Sequence, residues 1–239
     1  MQPIFLTAEW RYLIMANYLI APEGLASFVP PGTELDFWQG RCYISLVGFL
    51  FVNTKVMGLS IPFHRTFEEV NLRFYVRCQE EGQWKRGVVF IKEIVPKRAI
   101  TAVANTLYGE KYVTMPMRHH WAEDSSRLLV QYDWKPNGRW NSLRVAADRK
   151  AAPLEEGSEE QFITEHYWGY TGQPGGASSE YQVEHPSWRI HPVLSYQADC
   201  DARQLYGPAF AEAMEEEPTS VFLAEGSEIA VRRGRRLPA

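Results

Sequence analysis

Cysteine is scarce in this sequence. Of 239 residues only Cys42, Cys78 and Cys200 carry a thiol. They are widely spaced and form no CxxC pair, so no secreted-type disulfide framework is available and free thiols in a reducing compartment are expected. No window approaches the roughly 18 apolar residues of a membrane span. The opening Met1-Gln2-Pro3-Ile4-Phe5 lacks a basic segment followed by a long apolar run, which argues against a signal peptide. A cytoplasmic protein with no membrane association is therefore expected. Charge of one sign is also lacking: 25 basic residues face 29 acidic ones, for a net charge of −4. That balance gives no support to nucleic-acid binding. The basic run Arg232-Arg233-Gly234-Arg235-Arg236 reads as part of a short, solvated, charged C-terminal tail at about 232–239.

The usual signatures of catalysis are missing as well. There is no GxSxG elbow, no dinucleotide fingerprint, and Gly172, Gly175 and Gly176 do not form a phosphate-binding pattern after a strand. The six histidines (His64, His119, His120, His166, His185 and His191) include no HExxH. His119 and His120 are adjacent, so a strand would turn them to opposite faces, and Pro186 separates His185 from His191. Convergent zinc ligation is not expected, and neither a metal nor another cofactor is called for. No internal repeat or low-complexity tract is present.

What the chain has in quantity is aromatic side chains: 8 Trp, 12 Tyr and 12 Phe. These suit a β-rich core. Strands are expected at 10–20, 41–52, 127–134, 141–148, 181–191 and 193–198. A hairpin is expected over 70–94 around Glu81-Gly82-Gln83, and another over 219–232 around Glu225-Gly226-Ser227. Residues 70–78 alternate with period two: Val70, Leu72, Phe74, Val76 and Cys78 on one face, Asn71, Arg73, Tyr75 and Arg77 on the other. Pro96 opens a helix in which Ile100, Val103, Ala104, Leu107 and Tyr108 fall at helical spacing, and Gly109 stands where its C-terminal stop belongs. Short helices are expected at 22–29, from a Ser158/Gln161 capping box through Tyr167, and at 202–214. Residues 171–180 read as a flexible loop. The whole reads as one domain, residues 1–239, of an antiparallel sheet or barrel with a few helices packed outside.

Several segments, in order, carry a family resemblance. Leu25-Ala26-Ser27-Phe28-Val29-Pro30-Pro31-Gly32-Thr33-Glu34-Leu35-Asp36 is continued by residues 40–49, by Glu69-Val70-Asn71-Leu72-Arg73-Phe74-Tyr75-Val76, and by Arg86-Gly87-Val88-Val89-Phe90. Phe162-Ile163-Thr164-Glu165-His166-Tyr167 and Val183-Glu184-His185-Pro186-Ser187-Trp188 complete the set. From about residue 7 to 210 the chain resembles the YqjF-like family of bacterial proteins, a family of unknown function grouped structurally with acetoacetate decarboxylase. The resemblance implies a mainly β (α+β) fold: an acetoacetate decarboxylase-like, conical antiparallel barrel with peripheral short helices and an internal pocket. Barrels of this kinship often assemble, so a homo-oligomer is an open possibility.

The same resemblance allows the decarboxylase chemistry to be tested. Acetoacetate decarboxylase forms a Schiff base on a lysine whose pKa is lowered by a second lysine and an apolar pocket. It carries Gly-aromatic-Pro-Lys-Lys after a helix. The matching segment here is Gly109-Glu110-Lys111-Tyr112-Val113, with Lys111 where the proline would be and Tyr112 and Val113 where the lysines would be. The paired-lysine device is absent, and a one-residue offset in a strand turns a side chain to the opposite face. Glu69 matches the pocket carboxylate better, through Phe67-Glu68-Glu69-Val70. The candidate ligand-binding residues are therefore Glu69, Arg73, Tyr75, Tyr108 and Tyr112, with Lys111, Tyr112 and Glu69 as candidate catalytic groups. Against this stands a plainer arrangement: Arg73 and Glu69, four residues apart on one strand, paired with each other to hold the sheet together, or facing solvent. The functional expectation is a protein that binds a small apolar or carboxylate-bearing molecule. The alternatives are a lyase-like or decarboxylase-like enzyme acting on a keto acid, and a structural or partner-binding role.

Overall fold

The computed structural model describes residues 2–237, and only the backbone of Leu107 and Tyr108. The chain begins with β1 (Ile4–Leu19), two 3-10 turns (Pro22–Gly24 and Ala26–Phe28) and β2 (Glu34–Leu35). Three long strands follow, β3 (Tyr43–Val56), β4 (Phe67–Glu80) and β5 (Gln83–Val95), then α1 (Arg98–Tyr108) and β6 (Tyr112–Thr114). A meander of β7 (Met117–Glu123), β8 (Arg127–Trp134) and β9 (Asn141–Asp148) leads to β10 (Ala152–Pro153) and α2 (Glu159–Thr164). The chain ends with β11 (Trp168–Gly172), β12 (Ser178–Glu184), β13 (Arg189–Asp199), α3 (Ala202–Tyr206), α4 (Pro208–Glu215), β14 (Ser220–Arg232) and β15 (Arg235–Arg236). Among the described residues, no helix is long and apolar enough to cross a membrane.

The strands join one sheet in the order β15-β12-β11-β5-β4-β3-β1-β14-β13-β9-β8-β7. β12 also pairs with β14, through Val183–Val231 and Glu184–Ala230, so seven strands return on themselves as a closed circuit of hydrogen bonds. The expected antiparallel sheet is corrected to a mixed one, because β5 pairs in parallel with both β6 and β11. The cause is topological. A strand, a helix and a second strand on the same edge must run parallel, and β5–α1–β6 is such a unit.

β4 is buried on both faces, and its two faces belong to different cores. Val70, Leu72, Phe74, Val76 and Cys78 pack toward Tyr132, Trp134, Leu143 and Val145 of β8 and β9, and Leu205 and Phe210 of α3 and α4. On the other side Phe67 and Tyr75 pack with Tyr43, Phe49, Phe51, Phe162 and Trp188. Each fully buried large apolar side chain contributes roughly 1.5–3 kcal/mol, so burying both faces of three long strands is a major source of the fold's stability.

Several boundaries move. The helix expected at 22–29 is two single turns stopped by Pro30. The helix at 202–214 breaks at Gly207, whose φ of 97° is followed by Pro208. The loop expected over 171–180 narrows to 173–177, because β11 and β12 pair up to Gly172–Ser178. The expected C-terminal tail carries β15, and Arg235 donates to the buried Glu180 carboxylate at 2.7 Å. β14 is one continuous strand along β1 where a hairpin was expected. α1 does end at Gly109, in the left-handed region at φ 68°.

Candidate functional site

Strand register gathers the polar residues. Along β4, Glu69, Asn71 and Arg73 share one face by period two. Asn71 lies opposite Glu93 of β5, and Glu93 lies opposite Tyr112 of β6, so the three form a row across three strands. The connection from α1 into β6 turns at Gly109 and delivers Glu110 to the same side. These residues line a cavity of about 230 Å³ whose other walls are largely aromatic: Trp10, Phe49, Phe51, Phe90, Trp168 and Trp188.

A β-bulge makes this possible. The partner of Leu72 is Lys92 and the partner of Arg73 is Phe90, so Ile91 is the extra residue of β5. Simple alternation would turn Phe90 and Glu93 to opposite faces. The bulge lets both of them line the cavity.

Burial raises all three carboxyls of this corner. Glu69, Glu93 and Glu110 are 2%, 1% and 8% exposed. Glu69 accepts from Asn71 Nδ2 at 2.9 Å and from the Tyr112 hydroxyl at 3.0 Å. Burial pushes the Glu69 carboxyl up to about 7 against these hydrogen bonds. Burial likewise pushes Glu110 up to about 7. Glu93 is raised well above the ordinary carboxylate range by burial first and by Glu110 and Glu69 next. A protonated carboxyl donates as well as accepts, so near neutrality this corner offers both kinds of hydrogen bond.

Arg73 is the opposite case. It is 9% exposed, and its Nη2 donates to the Ile163 carbonyl at 3.2 Å. Its Nε has no protein partner, and among the described residues no carboxylate lies within ion-pair distance. The Arg73–Glu69 pair considered from sequence does not form, since Glu69 is engaged by Asn71 and Tyr112.

Other candidates fall elsewhere. Tyr75 is buried, but its hydroxyl is 2.6 Å from Ser45 Oγ, which also bonds Asn17. It is part of a buried network and does not line the cavity. Lys111 is exposed and points away from the cavity, its Nζ 5.5 Å from the Phe28 ring centroid. Its neighbours Glu110 and Tyr112 face inward, so alternation puts Lys111 outside. The side chain of Tyr108 lies outside the described residues. No lysine lines the cavity among the described residues.

Sequence reasoning assigned no role to Glu93, Glu110, Tyr181 or His166, all of which line the cavity. A lone Glu inside the apolar run 87–95 was a usable signal for Glu93. For His166 the signal lay in its partner. The ring lies between Tyr75 and Phe162, at centroid distances of 4.7 and 5.0 Å. Its Nε2 is 3.1 Å from Asp36 Oδ2, which also accepts from Arg86 Nε at 2.6 Å. Burial pushes the imidazole down to about 4, so it is neutral at physiological pH.

Comparison with known proteins agrees with this architecture. Residues 7–228 match the model of the family DUF2071, described as an uncharacterized conserved protein. The chain is 27% identical over 184 residues to the uncharacterized protein YqjF of Bacillus subtilis (strain 168), covering 76% of this chain and 73% of that one. It superposes on acetoacetate decarboxylase from Legionella pneumophila with a TM-score of 0.66, at 12% identity over 99% of this chain and 89% of that one. The enduracididine biosynthesis enzyme MppR complexed with pyruvate superposes with a TM-score of 0.64, at 12% identity over 100% of this chain and 91% of that one. At these identities the likeness shows the fold, which is acetoacetate decarboxylase-like.

Proposed function

The chain belongs to the DUF2071 family of uncharacterized conserved proteins, and from that premise we propose that it binds a small, largely apolar molecule bearing a carboxylate, inside a barrel closed by the β12–β14 pairing. Arg73 is the anchor, and the observation that carries the reading is its buried guanidinium without a carboxylate partner among the described residues. An unpaired buried charge costs several kcal/mol. A ligand carboxylate would neutralise it through charge-assisted hydrogen bonds, while the aromatic walls cover the apolar remainder. MppR, which shares the fold, holds pyruvate, a small carboxylate.

The test is calorimetric titration with 3-phenylpropanoate. Arg73→Met should weaken binding about tenfold to a hundredfold, the worth of a hydrogen bond to a charged group. It should leave thermal stability unchanged or raise it, because an apolar replacement relieves an unpaired charge. Lys111→Met should leave binding unchanged. Equal affinity in wild type and Arg73→Met would sink the reading.

One observation favours a second reading. Carboxyls that titrate near 7 suit general acid–base work. On that reading the protein is a lyase-like enzyme acting on a keto acid, with Glu69 as acid/base and Tyr112 its hydrogen-bonding partner. With no lysine in the cavity wall among the described residues, borohydride should trap no adduct with a β-keto acid. Release of CO2 from that acid, abolished by Glu69→Gln, would carry this reading over the first.

A further inference from the structure

The orphaned polar atoms of the cavity residues define more of the ligand than its carboxylate. Asp36 lines a separate outer cleft beside Arg86 and Phe162, whereas His166 lines the cavity. The imidazole therefore forms part of the wall between the two, its Nε2 turned to the cleft and engaged by Asp36. An ionised carboxylate only accepts, so the ring proton sits on Nε2 and Nδ1 keeps its lone pair. Among the described residues Nδ1 has no hydrogen-bond partner, although His166 is only 7% exposed. Asn71 Oδ1, of another residue lining the cavity, is a second buried acceptor without a partner among the described residues. Arg73 Nε is an unpartnered donor. Leaving such groups unmade costs about 1–3 kcal/mol each.

We propose that His166, held by Asp36, reads a hydrogen-bond donor next to the ligand's carboxylate, so that the natural ligand is an apolar 2-hydroxy acid or its close equivalent. This rests on the carboxylate reading of Arg73 and deepens it. His166 is a binding residue and Asp36 its positioning residue. The neutral imidazole described above is the form that accepts. The same lone pair would reject an analogue lacking the donor, because the buried acceptor would then stay unpaired.

A matched pair tests it: 2-hydroxy-3-phenylpropanoate, both enantiomers, against 3-phenylpropanoate, by calorimetric titration at pH 7.5. The wild type should bind one enantiomer of the hydroxy acid about tenfold or more tightly than the deoxy acid. In His166→Phe, which keeps a ring between Tyr75 and Phe162, that preference should vanish, the two acids binding with equal affinity. If His166→Phe does not fold, His166→Leu serves, since it too removes the acceptor. Equal binding of the two acids by wild type, or a preference that survives in the variant, overturns the proposal and spares the carboxylate reading. Failure of both acids to bind wild type overturns the two together.

Discussion

Gly226→Ala is expected to destabilise the protein by about 3 kcal/mol or more, enough to leave much of it unfolded at 37 °C. The residue lies inside β14 opposite Arg11 of β1, at φ 76°. A Cβ there would stand 2.0 Å from the Trp10 carbonyl oxygen and 2.7 Å from its carbon. Both are backbone atoms, so no rotamer change relieves the clash, and alanine also resists positive φ. Tyr12, across the same pair, already holds φ 51°. Urea unfolding of wild type and variant gives the number. A loss below about 1 kcal/mol would mean that 225–227 is an open turn after all.

That position shows where the sequence was legible and where it was not. Glu225-Gly226-Ser227 has the composition of a turn. Composition cannot separate a hairpin tip from a positive-φ position inside a 13-residue strand, because glycine serves both for the same conformational reason. The partner decides, and β1 is over 200 residues away in sequence. The alternation of 70–78 was readable because both halves of the pattern are local, and β8 and β9 fell at 127–134 and 141–148 for the same reason. β7 escaped because Met117–Glu123 is short and polar at most positions, on the edge of the sheet. Parallel pairing was implicit in a strand, a helix and Tyr112 in succession. The site was half legible. Glu69, Arg73 and Tyr112 line the cavity, and the period-two argument also explains why Lys111 does not. Glu93 needed the bulge at Ile91, which shifts parity without marking composition. His166 needed Asp36, 130 residues earlier.

Glu69→Gln is expected to make the protein more stable than wild type at pH 8 and no more stable at pH 5. Folded, the carboxyl titrates at about 7; unfolded, at its ordinary 4.5. Between those values the folded chain holds a proton that the unfolded chain has released, so stability falls as pH rises through this window. The contribution is fully present below 4.5 and lost above 7. At pH 8 the buried carboxylate costs about 3 kcal/mol. Glutamine resembles the protonated acid in shape, can still bond Asn71 and Tyr112, and carries no such cost. His166 works in the opposite sense: its depressed value means that stability falls as pH drops from 6.5 toward 4. Wild-type stability alone therefore mixes two slopes, and the difference between variant and wild type isolates one of them. Glu110→Gln should behave alike, and the double variant should gain less than the two together, because each carboxyl raises the other. A difference that stays constant from pH 5 to pH 8 would place Glu69 near its ordinary value and remove it as an acid–base group. A gain confined to high pH would identify a cluster that weakens the fold, as groups tuned for binding or proton transfer do.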